Sequence, residues 1–167
     1  MLLPEFYCRN SDWLNKFLIV FLVIRISFYT FAVTMDIERI KELVYRLPSL
    51  STTLGMEFLS TDEPDTCMAR MKVDERCRQP FGFLSGGASL ALAENLAGVG
   101  SMGLCPDKIA VGVNVTGSHV KAVLEGDTVT AVARLRHQGK TLHQWQVDIT
   151  NEQGELISTV QVTNYVV

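Results

Sequence analysis

The stretch Gln79–Gly103, QPFGFLSGGASLALAENLAGVGSMG, decides how the rest of the chain is read. A Pro- and Gly-rich entry, Gln79-Pro80-Phe81-Gly82, leads into Ser85-Gly86-Gly87. A long run of small and apolar residues follows, with one acid, Glu94, in its middle. Small residues on nearly every face predict a helix packed tightly all round. A carboxylate in such a helix is desolvated at a cost unless a solvent crevice, a buried partner or a reaction uses it. Glu94 is the only carboxylate on this predicted helix.

Outward from the helix, the flanks read as a sheet. Before it, Asp36 is placed to cap a helix whose apolar positions Ile37, Ile40, Val44 and Leu47 recur at helical spacing until Pro48. Leu54 to Ser60 reads as a strand, Asp62-Glu63-Pro64-Asp65 as a turn, and Thr66 to Val73 as a second strand. The helix is expected to end near Met102. After it come Ile109 to Val120, with Val111, Val113 and Val115 on one side, then Thr128 to His137, Leu142 to Asn151 and Leu156 to Val166. The Gly-containing turns Glu125-Gly126-Asp127, Gln138-Gly139-Lys140 and Asn151–Gly154 predict a four-strand antiparallel meander. The fold class is therefore α+β: about six antiparallel strands wrapped around one long helix.

Composition narrows the function. The 167 residues amount to one domain with an appendage, 47% hydrophobic and 20% charged, with a net charge of −3. That balance gives no basic footprint for nucleic acid. The four cysteines show no metal-ligand spacing and read as free thiols of a reducing, cytoplasmic compartment. His119, His137 and His143 match no zinc motif, so no metal and no cofactor is expected. Residues 1–34 differ from the rest: Phe17 to Val33 is apolar except for Arg25 and a few hydroxyls. A membrane anchor, a degenerate signal and translated sequence upstream of Met35 are the three readings. The last is favoured because Met35 opens a well-formed domain, 35–167.

The motif Gln79-Pro80-Phe81-Gly82-Phe83-Leu84-Ser85-Gly86-Gly87-Ala88-Ser89, with Ala93-Glu94 downstream, resembles the hotdog-fold acyl-CoA thioesterases. The likeness is to the branch holding 4-hydroxybenzoyl-CoA, 1,4-dihydroxy-2-naphthoyl-CoA and phenylacetate-pathway thioesterases. VGVNVTGSHVK from Val111 and GKTLHQWQVDI from Gly139 look like the same branch, and the resemblance spans about Leu47 to Val167. It implies hydrolysis of acyl-CoA thioesters, with 1,4-dihydroxy-2-naphthoyl-CoA as the best single substrate. It implies that the Gly86 N–H is the oxyanion donor, that Glu94 attacks or activates water, and that Gln79 positions the reacting group. Gly87, Gly98, His119 and Lys121 would face substrate or CoA, with Arg134, Arg136 and Lys140 as further phosphate partners. The family's His-Gly-Gly is Ser85-Gly86-Gly87 here; a Ser can still donate a hydrogen bond but cannot carry charge.

Spacing adds an independent constraint. Gly86 and Glu94 are eight residues apart on one helix, roughly 12 Å along its axis. Reacting groups must come within about 3–3.5 Å. One helix cannot bring both to one thioester, whereas two antiparallel helices from two subunits can. The expectation is a homodimer with composite sites, with a tetramer left open. Two other readings stand beside it. A hotdog dehydratase would need a catalytic histidine near the helix, and none of the three is expected there. An inactive hotdog domain that binds acyl-CoA or acts as a scaffold would explain Ser85 but not the retained Glu94.

Overall fold

The computed structural model describes residues 35–167; the expectations for residues 1–34 lie outside the described residues. Helix α1 (Ile37–Tyr45) starts where Asp36 accepts the Arg39 N–H at 3.0 Å. It buries Ile37 and Ile40 and ends three residues before Pro48. Tyr45 fastens α1 to the first strand: its hydroxyl donates to Met56 O and accepts from Phe58 N, and its ring stacks on Phe58. A short helix, α2 (Leu50–Thr53), was not expected. Ser49 and Thr52 form a reciprocal capping box, and Gly55 (φ 67°) closes it. Its C-cap Leu54 and the turn at Gly55 take up the start of the expected Leu54–Ser60 strand and leave only β1 (Glu57–Leu59).

The remaining elements are β2 (Thr66–Lys72), α3 (Gly86–Leu104), β3 (Ala110–His119), β4 (Thr128–Gln138), β5 (Leu142–Thr150) and β6 (Leu156–Val166). Six antiparallel strands in the order β1-β2-β4-β5-β6-β3 curve around α3. Only β4-β5-β6 is a meander. The predicted neighbour relation of β3 and β4 does not hold: β3 pairs with β6 at the far edge, and the chain then crosses the sheet to reach β4. Glu125–Asp127 pairs instead with the end of β2, through Gly126 N–H to Val73 O and Val73 N–H to Asp127 O.

The core sits between the concave face of the sheet and one side of α3. Ala69, Met71, Val129, Ala131, Val147, Ile149, Val160 and Val162 meet Leu92, Ala93, Leu96 and Ala97. Leu92 and Leu96 are fully buried, each contributing about 1.5–3 kcal/mol. Trp145 is also core, its indole N–H donating to Ser101 Oγ. Burial pushes the Cys67 thiol up to about 12, so it is an inert core group.

Two expectations change here. The helix is not packed all round: Gly87, Ala91, Glu94, Asn95, Gly98 and Met102 form a stripe left partly open. And Val111, Val113 and Val115 do not share a face. A bulge between Gly112 and Asn114 sets Val111 opposite outward Tyr165 but Val115 opposite buried Val162. Gly112 and Gly117 consequently face α3, where a β-carbon would run into Glu94 and Leu90 respectively.

Candidate active site

The N-terminus of α3 is held open by its own backbone. Ser85 is extended, gives its N–H to Cys77 O, and accepts the Ser89 N–H. Its side chain makes no capping bond. Among the described residues the Gly86, Gly87 and Ala88 amides therefore find no backbone acceptor. Free amides and the helix dipole together favour a developing negative charge at this point. The loop before the helix folds back, with Gly82 (φ 81°) donating to Gln79 O and Gln79 N–H to Phe83 O. This brings Gln79 beside the helix start.

A cavity of about 330 Å³ opens there, lined by Gln79, Gly86, Ser89, His119, Lys121 and Ser158 among others. The His119 ring lies against Gly86: a β-carbon on Gly86 would stand 2.6 Å from Nε2. Gly86 thus leaves room for the imidazole. His119 Nδ1 is 2.9 Å from Ser158 Oγ. Lys121 is paired with Glu155, which also accepts from Asn151. Those two bonds hold the Glu155 carboxyl below its usual range, Lys121 being the larger cause. The reading that no histidine is near the helix is corrected by this geometry. His119 is distant in sequence, but the β3–β6 ladder delivers it to the helix N-terminus.

Ser85 and Gly87 lie on the other flank. They line a second hollow of about 340 Å³ with Leu50, Leu54, Ala88 and Ala91, bordered by Arg76. Arg76 is itself engaged, donating to both carboxylate oxygens of Asp74. Gly86 is the residue between the two hollows. Glu94 is in neither of them. It is half-buried on the open stripe, with its carboxylate over Gly112: a β-carbon there would be 3.1 Å from Cδ. Gly98, one turn on, has no atom within 4 Å of its missing β-carbon and leaves free space beside Glu94.

Of the predicted site residues, the chain gathers Gln79, Gly86, His119 and Lys121. It turns Ser85 and Gly87 toward the second hollow, and leaves Glu94 and Gly98 along the stripe. Arg134 faces Asp148 and lines a different hollow with Ser60, Asp62 and Glu63. Arg136 and Lys140 lie toward the opposite end of β4 from the cavity. None of these three is placed for the phosphate role expected of them within one chain.

Sequence reasoning missed two residues. Ser158 shares the inward phase of β6 with Val160 and Val162, so a polar residue among core positions was a readable signal. Gly112 was a glycine inside a strand, which marks a bulge or a close approach.

Comparison with known proteins identifies the frame. An esterase-named protein of Deinococcus radiodurans is 43% identical over 117 residues, covering 69% of this chain and 72% of its own. A 1,4-dihydroxy-2-naphthoyl-CoA hydrolase of Listeria monocytogenes is 35% identical over 115 residues, covering 68% and 92%. Residues 81–158 match the model of the thioesterase superfamily. The chain belongs to the thioesterase superfamily. A thioesterase structure from Pseudomonas aeruginosa superposes with a TM-score of 0.71 at 36% identity, covering 79% of this chain and 94% of that one. The architecture is accordingly the hotdog fold, and the protein is a hotdog-fold thioesterase. The matched span of this thioesterase holds Gly86, Glu94, His119, Lys121 and Ser158; Gln79 stands two residues before it. Among its described residues no helix is long and apolar enough to cross a membrane.

Proposed function

We propose that this thioesterase hydrolyses cytoplasmic acyl-CoA thioesters carrying aryl or hydroxyaryl acyl groups, 1,4-dihydroxy-2-naphthoyl-CoA being the best single candidate. The observation that carries the reading is the cavity in which free α3 amides meet Gln79, His119 and Lys121. A thioester carbonyl seated at the Gly86 N–H would gain from the helix N-terminus as charge develops on oxygen. Lys121 at the mouth suits the phosphates of CoA, exchanging its Glu155 partner for phosphate oxygen, while His119 lies against Gly86 where the thioester would sit. The flank with Leu50, Leu54, Ala88 and Ala91 offers an apolar wall for the acyl group. The Listeria relative's name supports an aromatic acyl group of that kind.

Glu94 is the proposed catalytic carboxylate, as nucleophile or as the base that takes a proton from water. Water adds to the carbonyl carbon, the carbon–sulfur bond breaks, and the products are the free acid and the CoA thiol. Gly86 and Glu94 are separated by two helical turns, roughly 12 Å. Each site therefore takes Gly86 and Gln79 from one chain and the partner subunit's Glu94 from the other. The open stripe of α3, which carries Glu94 and Gly98, is the surface the two-fold partner would approach.

Thiol release from a panel of acyl- and aroyl-CoAs, with the parent and Glu94→Gln, tests the reading. Turnover on aroyl-CoAs, with kcat reduced about 10³-fold in the variant, supports it. Sedimentation should show a dimer under assay conditions; full activity in a monomer would sink the composite site. No turnover on any thioester would favour a domain that binds acyl-CoA without cleaving it.

A further inference from the structure

We infer that Ser158 is a positioning residue for His119: it holds the neutral imidazole in the tautomer with the proton on Nε2, so that an N–H donor stands against Gly86. The functional part of this inference rests on the proposal that a thioester carbonyl docks at Gly86.

The two residues face each other directly in the β3–β6 ladder. Ser158 is completely buried, and its Oγ stands 2.9 Å from His119 Nδ1. His119 Nδ1 is its one hydrogen-bond partner among the described residues. That leaves two arrangements. If Nδ1 carried the proton, it would donate to Oγ, and the hydroxyl hydrogen would have no acceptor among the described residues. If Ser158 donates instead, its hydrogen and the Nδ1 lone pair are both answered, and only oxygen lone pairs stay idle. A buried donor without an acceptor is the costlier defect, so the second arrangement prevails. The imidazole proton then resides on Nε2.

Nε2 is the nitrogen that lies against Gly86, inside the cavity that holds Gln79. The hydrogen bond therefore turns the donor face of the ring toward the position proposed for the carbonyl oxygen. The same hydrogen bond disfavours the flipped ring, which would turn a carbon toward Ser158 Oγ. Ser85 cannot substitute for this donor: it lies on the other flank of the helix.

Long-range ¹H–¹⁵N correlation spectra of the full-length protein, recorded at alkaline pH with His119 assigned from His119→Ala, read the tautomer. The parent should show the single Nε2–H pattern, and Ser158→Ala a mixture of tautomers. In thiol-release assays Ser158→Ala should lower kcat about three- to tenfold, the worth of one hydrogen bond. KM should stay within about twofold. In the His119→Ala background the same substitution should have no further effect, because the two residues act as one unit. An Nδ1–H pattern in the parent overturns the inference, and so does an effect of Ser158→Ala that is additive with His119→Ala. If Ser158→Ala does not fold, the parent spectrum still decides, and Ser158→Cys, a weaker donor of similar shape, replaces it in the assays. The spectra need no turnover, so failure of the thioesterase substrate reading would be seen separately, as an Nε2–H parent without activity.

Discussion

The two halves of α3 are built from the same small and apolar residues, yet they treat their polar groups in opposite ways. In the C-terminal half, Ser101 is buried and accepts from both Trp145 Nε1 (2.9 Å) and Asn164 Nδ2 (3.1 Å). The polar groups there are answered inside the chain and belong to the core. In the N-terminal half, the first amides have no backbone acceptor and no side-chain cap, and Glu94 sits on an open stripe. Unanswered polarity at a helix start is a standing cost that a bound ligand can relieve. The lesson is that residue type does not distinguish function from packing along this helix. What distinguishes them is whether each polar group already has its partner.

A matched pair of substitutions tests that contrast, one at a crowded glycine against each half. Gly112 lies under Glu94, where a β-carbon would be 3.1 Å from Cδ and closer still to Oε1. Its φ is not in the left-handed region, so Gly112→Ala strains no backbone and acts by displacing the carboxylate. Misplacing a reacting group by about 1 Å can cost about 10²-fold, so kcat should fall by that order with little change in melting temperature. Gly100 is the counterpart. Its β-carbon would stand 2.7 Å from Trp145 Cη2 and 2.9 Å from Cys67 Sγ. Both groups are buried and cannot retreat, so Gly100→Ala should lose about 1–3 kcal/mol of stability by overpacking. The kcat of the folded fraction should stay near that of the parent. Denaturant unfolding and thiol release measured on both variants would break the comparison if the losses came out the other way round.

The same contrast explains how much was legible in the sequence. The helix, the strands and the turn glycines follow from period and turn chemistry, which are local, and Gln79, Gly86 and Glu94 came with the motif. Three features needed tertiary information. The β3 strand looked like the first of a meander because it is followed by a turn signal, but pairing with β6 is decided by the sheet as a whole. The bulge at Gly112 reverses which valines face in, and a period-two reading cannot register an extra residue. His119 reaches Gly86 only because β3 runs along the edge beside β6, so a sequence distance of 33 residues hid a direct contact. Ser85 shows the converse: adjacent to Gly86 in the chain, it faces the opposite hollow, as helical geometry allows for consecutive positions.

The sheet beside the closed half of the helix is not answered completely, and this gives the smallest expected effect. His143 Nδ1 and Asn164 Oδ1 are buried without a partner among the described residues, and the two residues are opposite each other in the β5–β6 ladder. Burial lowers the His143 pKa from its usual value near 6.5, with the charges of His137 and Lys108 adding to the effect. A bond with the Gly139 backbone works weakly the other way. The folded state thus resists protonation that the unfolded chain accepts. By linkage, stability is undiminished above the unfolded pKa and declines as pH falls from about 6.5 toward the lower folded value. The carboxyls that ion pairs hold down, Asp74 and Glu155 among them, lose their contributions only at lower pH, in the carboxylate range. Melting temperatures between about pH 7.5 and 5.5 therefore isolate the histidine range. The parent should show a downward slope toward acid, and His143→Gln, which keeps a polar group but does not titrate, should flatten it. An unchanged slope in the variant would mean that the unpaired Nδ1 is accommodated without penalty.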